Sequence, residues 1–292
     1  LRTTTKAHIA VLLTNFFFAT NLSLVKHISP SLIGPYGVNL FRVGITLLLF
    51  WLLWAFSKQE AGIEKKDVPR FIGCALTGVV INQMLFVKGL TITSTLHAAL
   101  LMLTTPLLIG VLALWWLKEK FTMQKAVGLL FGIGGALLLI LSRDARGIAS
   151  VQGDLLILIN AISYAIYFIM VKPLTSRYSP LHVIRWVFTF GFIMIVPFSW
   201  QDAVEANWQS AAVSQWLALG SVVLCGTFLT YSFNSYSLKH LGAATTGSYI
   251  YTQPLFAALI AALFLQEGFS IEKVIAGVLI FGGVFLGSRN KS

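Results

Sequence analysis

Apolar positions in this chain run in long blocks. Ten blocks are separated by short polar connections: 7–26, 34–57, 69–88, 93–117, 122–142, 152–172, 180–200, 212–238, 243–266 and 270–289. A helix of about 20 mostly apolar residues crosses the hydrocarbon layer of a bilayer, so each block reads as a transmembrane helix. The longest connections are Lys58 to Val68 and Gln201 to Ala211, and no low-complexity linker sets off a soluble domain. The first block begins at Ala7, is long, and ends without a small-residue cleavage site, so it is expected to be a span and not a cleaved signal. The pattern predicts an all-α integral membrane protein of ten transmembrane helices.

The second half of the chain repeats the first. Adding 148 to the numbering aligns Asn82–Leu141 with Thr230–Arg289 without a gap. Thr104 falls on Thr252, Pro106 on Pro254, Glu119 on Glu267, Phe121 on Phe269, Lys125 on Lys273, and Gly134-Gly135 on Gly282-Gly283. From Thr104 to Leu138, 11 of 35 positions are identical. The earlier parts of the halves are more diverged, although Leu24-Val25-Lys26 still resembles Met170-Val171-Lys172, and Pro35 and Pro180 both open the next block. Such a unit is too long for a solenoid repeat. It divides the chain into halves, 1–146 and 147–292, of five spans each. An odd number of spans sends the second half into the membrane from the opposite side, which gives an inverted repeat around a central cavity.

Composition agrees with lipid as the main solvent. Apolar residues make up 57% of the chain and charged residues 11%, with a mean hydropathy of +0.82. The net charge of +11 lies mostly in short connections. No basic stripe interleaved with aromatics is present, so nucleic acid is not an expected partner. With the N-terminus in the cytoplasm, cytoplasmic segments hold 14 basic residues: Arg2, Lys6, Lys58, Lys65, Lys66, Arg70, Lys118, Lys120, Lys125, Lys172, Arg177, Lys239, Arg289 and Lys291. The other side holds 5: Lys26, Lys88, Arg143, Arg146 and Lys273. That bias orients both termini inward. Cys74 and Cys225 lie in apolar blocks and form neither a disulfide framework nor a metal spacing; no metal or cofactor site is expected.

Polar residues inside apolar spans are costly, so each is a candidate for a substrate path. Such residues, with neighbouring aromatics, are Asn15 and Phe18 in the first span, Asn82 and Phe86 in the third, and His97 and Thr104 in the fourth. Tyr164 and Tyr167 lie in the sixth, Tyr231 and Asn234 in the eighth, and Tyr249 and Gln253 in the ninth. Interhelical hydrogen bonding is the competing reading for any single Asn or Thr, and packing for any single aromatic. Arg42 lies about two turns into the second span with no acidic residue in any span centre to meet it, so it is expected to face water or an anion unless helix-end carbonyls hold it. His97, Lys88 and Asn82 fall in the same outer half, and His97 is the candidate titrating group. Arg185 is expected to be an anchor at the cytoplasmic end of its span. Pro106 and Pro254 sit mid-span, where each removes a donor and crowds the carbonyl four residues back, that of Met102 or Ile250. They are candidate hinges, and Thr104, Thr105, Thr252 and Gln253 are candidate partners for the freed carbonyls. The Gly-rich fifth and tenth spans are expected to pack against neighbours.

The doubled element is a Pro, an apolar helix, a Glu-containing turn (Lys118-Glu119-Lys120-Phe121-Thr122; Gln266-Glu267-Gly268-Phe269-Ser270) and a Gly-Gly helix. Together with Leu85-Phe86-Val87-Lys88-Gly89-Leu90, Ala98-Ala99 and Asn39-Leu40-Phe41-Arg42, it resembles the EamA branch of the drug/metabolite transporter superfamily over nearly the whole chain. The resemblance implies ten helices in two inverted halves, and secondary transport of small metabolites such as amino acids. Relatives that exchange nucleotide-sugars or sugar phosphates make an anion exchanger the alternative. The expected partners are a small-molecule substrate, the lipid bilayer and protons; the expected state is a monomer or weak dimer; and the expected location is a bacterial cytoplasmic membrane. An intramembrane enzyme is the remaining alternative. It lacks a nucleophile–base pair, a carboxylate pair or metal ligands in the sequence, so no catalytic residue is assigned.

Overall fold

The structure is a computed structural model that describes residues 3–56, 62–116, 123–141, 150–234, 236–237, 240–241, 249–260 and 271–288. All regular elements among these residues are helical: α1 (Thr3–Ile28), α2 (Pro35–Ala55), α3 (Val68–Ala75), α4 (Asn82–Thr91), α5 (Thr95–Met102), α6 (Thr105–Trp116), α7 (Met123–Leu141), α8 (Val151–Thr175), α9 (Pro180–Val204), α10 (Val213–Val223), α11 (Gln253–Ile260) and α12 (Ile271–Ser288). Six helical stretches are long and apolar enough to cross a membrane: Thr3–Ile28, Pro35–Ala55, Lys65–Ile92, Val151–Thr175, Pro180–Val204 and Val213–Asn234. Large apolar side chains on their outer faces, among them Leu48, Leu52, Phe56, Ile193 and Phe198, are exposed, as the lipid-facing surface of a multi-pass membrane protein requires.

Two of the expected spans are not plain helices. The third runs from α3 to α4 through a π-helical segment, Leu76–Ile81. A second π-helical segment, Leu224–Leu229, follows α10 at the same offset of 148 residues. In a π segment the backbone widens and its hydrogen bonds move to the fifth residue. Each segment carries a buried glycine at its third position, Gly78 or Gly226, and each glycine is pressed by a neighbouring helix. A Cβ on Gly78 would lie 2.5 Å from the Tyr167 ring on α8; one on Gly226 would lie 2.4 Å from Asn21 Oδ1 on α1. Side chains also meet the widened backbone. Ser163 Oγ donates to the Thr77 carbonyl at 2.7 Å, and Arg42 Nη2 donates to the Gly226 carbonyl at 3.4 Å.

The expected fourth span, 93–117, is two helices. The chain turns at Leu103 and Thr104, and α6 resumes at Thr105 with Pro106 second, where a missing N–H is tolerated. The corresponding place in the second half has a 3-10 turn, Tyr249–Thr252, and α11 begins at Gln253 with Pro254 second. Thr104 Oγ1 donates to the Leu101 carbonyl and Thr252 Oγ1 to the Tyr249 carbonyl, each at 2.7 Å. The two bonds are 148 residues apart and supply donors to carbonyls beside the breaks. Residues 242–248 and 261–270, which belong to the expected ninth span and its flanks, lie outside the described residues.

Helices α7 and α12 pack together through glycines. A Cβ on Gly135 would lie 2.7 Å from Ile280 Cγ1, and one on Gly283 would lie 2.5 Å from the Gly128 carbonyl oxygen. Close backbone approach of this kind is what small residues permit between helices in lipid.

The ends of α9 are tied to the first half of the chain. At one end Asp202 Oδ2 accepts the Tyr36 and Gly37 amides at 2.8 and 3.3 Å, so an acid from α9 caps the N-terminus of α2. The Asn207 amide also donates to the Leu32 carbonyl at 2.9 Å. At the other end buried Asp67 accepts Arg177 Nη1 at 2.8 Å and the Tyr178 hydroxyl at 3.0 Å, both from the turn between α8 and α9. Burial pushes the Tyr178 phenol up from its ordinary value, which keeps it a donor.

The glycines offer a direct check. Gly78→Ala and Gly226→Ala should each destabilise the protein by about 1–3 kcal/mol, because the neighbour must move to admit a methyl group. Gly134 and Gly282 have open space at the Cβ position, so Gly134→Ala and Gly282→Ala should be neutral. Melting temperatures of the four variants in one detergent test this; equal losses in all four would remove the close-approach argument.

Candidate substrate site

Arg42 is the centre of the polar interior. It projects from α2, is 2% exposed, and its Nε donates to Thr227 Oγ1 at 2.6 Å, within the second π segment. Thr227 Oγ1 in turn donates to the Val222 carbonyl at 2.9 Å. The guanidinium carbon lies 6.0 Å from the Phe86 ring centroid on α4. Tyr231 is an electrostatic neighbour of Arg42, with Gln83 of α4 within reach of the tyrosine hydroxyl. Tyr164 and Tyr167 of α8 pair with ring centroids 5.6 Å apart, and both neighbour Tyr231. Each of these three tyrosines is half-buried. No carboxylate faces Arg42 among the described residues; its Coulombic neighbour is Tyr231.

A second polar group joins α1 to α11. Gln253 Nε2 donates to Asn15 Oδ1 at 2.8 Å, Asn15 Nδ2 donates to the Val11 carbonyl at 2.7 Å, and His8 Nδ1 meets the Tyr249 hydroxyl at 2.8 Å. Between α4 and α8, Asn82 and Asn160 exchange side-chain to carbonyl bonds. Asn160 Nδ2 donates to the Asn82 carbonyl at 2.6 Å and Asn82 Nδ2 to the Asn160 carbonyl at 3.4 Å.

His97 belongs to a third group, and its partner was not legible as one. Asp154, in the first turn of α8, is 1% exposed; its Oδ2 lies 2.9 Å from His97 Nδ1, and its Oδ1 accepts the Thr93 hydroxyl. His97 Nε2 is buried with no partner. The site is held by close backbone contact: Gly153 presses on the Ile92 carbonyl, Gly89 presses on Gly153, and Ser150 Oγ donates to the Ile92 carbonyl at 2.6 Å. In sequence Asp154 reads as an acid at a helix start. Its spacing from Ser150, which caps α8 by accepting the Gly153 amide at 3.0 Å, suits that reading, and nothing in the sequence joins it to a histidine 57 residues earlier.

The chain carries two successive matches to the model of the EamA-like transporter family, at residues 5–141 and 151–289. It belongs to the EamA-like transporter family. An uncharacterized transporter of Bacillus subtilis, YetK, is 26% identical over 82% of this chain and 74% of its own length. An uncharacterized transporter of Archaeoglobus fulgidus is 24% identical over 96% of each chain. A crystal structure superposes with a TM-score of 0.63 at 16% identity, over 95% of this chain and 98% of that one, which is a likeness of fold.

Within this EamA-like chain the residues expected to form one path fall into three groups. Arg42, Phe86, Tyr164, Tyr167 and Tyr231 gather in one; Asn15, Tyr249 and Gln253 gather in another; His97 stands with Asp154; Asn82 lies outside all three, paired with Asn160. Phe18 and Asn234 are half-buried, and Thr104 is bonded to its own helix end. Arg42 and His97 have different partners: Arg42 donates to Thr227 and Gly226, and His97 faces the Asp154 carboxylate. Arg185 is not a surface anchor. It is 3% exposed, with its guanidinium carbon 4.7 Å from the Trp51 ring centroid and 5.1 Å from that of Trp54. Aromatic faces from α2 make that burial of a cation tolerable.

The His97–Asp154 pair makes a quantitative demand. Removing one partner of a buried pair leaves an uncompensated group and costs about 3–5 kcal/mol, whereas an apolar replacement of both costs far less. His97→Ala and Asp154→Ala should each lower the unfolding midpoint strongly, and the His97→Leu/Asp154→Leu double variant should recover most of the loss. A double variant with the summed loss of the two singles would show that the groups act independently.

Proposed function

We propose that this EamA-like protein is a secondary transporter that exports small metabolites such as amino acids by alternating access, without catalysis. The observation that carries the reading is the matched pair of irregularities in lipid-embedded helices. Two π segments and two Pro-preceded breaks recur at the same offset of 148 residues. Irregular backbone at membrane depth is tolerated where it is buried in protein or lines a cavity, and discontinuous helices in paired halves are where transporters hold their substrates. The breaks before Pro106 and Pro254 are the hinges in this reading, and the tyrosine-lined interior around Arg42 is the substrate path. Ten helices in two inverted halves, both termini in the cytoplasm of a bacterial cell and a monomer or weak dimer complete it. The mixture of Tyr, Phe, Asn and Arg suits a substrate that is polar at one end and tolerates an apolar group at the other.

Two measurements test this. Purified protein in liposomes loaded with a mixed amino-acid pool should release particular members faster than protein-free liposomes, with no nucleotide present; release indistinguishable from the protein-free control would sink the reading. Ser176 and Ser210 are exposed near opposite ends of α9. A cysteine at Ser176 should react with a membrane-impermeant thiol reagent from the cytoplasmic side, and one at Ser210 from the outer side. Labelling of both from one side would overturn the topology.

A further inference from the structure

Several buried polar atoms without hydrogen-bond partners lie on α1 and α2. Arg42 Nη1, Asn39 Oδ1 and Thr46 Oγ1 are all buried and unpaired, and all three residues lie on one face of α2 at helical spacing. Both amide atoms of Asn21 on α1 are buried and unpaired as well. Asn21 and Arg42 meet the same residue, since Asn21 rests on Gly226 and Arg42 Nη2 donates to its carbonyl. Buried polar groups are nearly always paired, so such a cluster asks for a partner that is not protein. Water would satisfy donors and acceptors but would leave the guanidinium charge uncompensated.

We infer that these residues form an occluded subsite for a small carboxylate, the acidic end of the transported solute; the identification of the solute rests on the proposed transport function. The donors fit. Arg42 Nη1, Thr46 Oγ1 and Asn21 Nδ2 carry free hydrogens. Arg42 is fixed from behind by Thr227 and Gly226, so its free edge is oriented before any ligand arrives. A planar guanidinium holds a planar carboxylate through charge-assisted bonds that an ammonium cannot duplicate. The two amide oxygens, Asn21 Oδ1 and Asn39 Oδ1, are buried acceptors without hydrogen-bond partners. They suit an ammonium group on the same ligand, which makes an α-amino acid a better fit than a simple carboxylate. The π segment explains why the site is here. Its widened backbone presents the Gly226 carbonyl and the Thr227 hydroxyl to α2, and its glycine admits Asn21.

The test uses the full chain in detergent at constant ionic strength, with melting temperature read against added acetate, L-alanine or chloride. A ligand that binds only the folded state raises the melting temperature saturably. Acetate and L-alanine are expected to do so, L-alanine at the lower concentration, and chloride at equal concentration is not. Arg42→Met should abolish the shift, and Arg42→Lys should not restore it. Thr46→Val separates a site from a scaffold and serves if Arg42→Met fails to fold. Thr46 Oγ1 has no protein partner, so a purely structural residue would leave acetate binding unchanged on becoming valine. As part of the site, its loss should raise the half-saturating acetate concentration about fivefold, the worth of one hydrogen bond. An equal shift with chloride, a shift retained in Arg42→Met, no shift in the wild type, or unaltered acetate binding in Thr46→Val would each overturn the assignment. Because this readout needs no flux, a protein that binds acetate but moves no amino acid in liposomes would refute the transport reading and leave the subsite standing.

Discussion

The structure depends on one constraint: in hydrocarbon, every backbone N–H and C=O must find its partner inside the protein. Regular helices meet it by themselves. Among the described residues the expected spans depart from regular α-helix at four places, and at each a side chain bonds to the backbone. Ser163 serves the first π segment and Arg42 the second; Thr104 and Thr252 serve the turns before Pro106 and Pro254. The departures in the second half are those of the first half displaced by 148 residues, and the side chains that answer the Pro breaks are displaced by the same amount.

The two π segments are not chemically equal. In the first half the widened backbone is met by the hydroxyl of Ser163, with Tyr167 closing over Gly78. In the second half it is met by a guanidinium, with Asn21 over Gly226. One half is therefore neutral and aromatic where the other is cationic and amide-rich.

Three of the acid-containing contacts have separate roles. Asp202 caps α2 at one end of α9, Asp67 joins the α8–α9 turn to the start of α3 at the other, and Asp154 balances His97 inside. None of them reaches Arg42. The few carboxylates of the described chain are thus committed elsewhere, and the deepest cation is left with hydroxyl, carbonyl and aromatic neighbours.

Much of this was legible in the sequence, because lipid imposes long apolar blocks and a duplicated chain repeats its breaks at a fixed offset. The Pro positions marked both helix interruptions; of the four candidate donors beside them, Thr104 and Thr252 bond carbonyls, those of Leu101 and Tyr249 and not those of Met102 and Ile250. The Gly-rich runs marked α7 and α12 as packing helices; that they pack against each other is a finding of the structure. What only the tertiary structure decided was partnership. Asp154 stands in the first turn of α8, and its pairing with His97 comes from α4, α5 and α8 meeting through Gly89 and Gly153. Arg185 looked like an interfacial anchor until two tryptophans of α2 were seen to flank it. The π segments left no mark in the apolar pattern, because adding a residue to one turn rotates a uniformly apolar helix without exposing anything polar. Linear spacing reports which residues share a helix face. It does not report which face of another helix they meet, and in a protein buried in lipid that meeting decides what each charge and each amide is for.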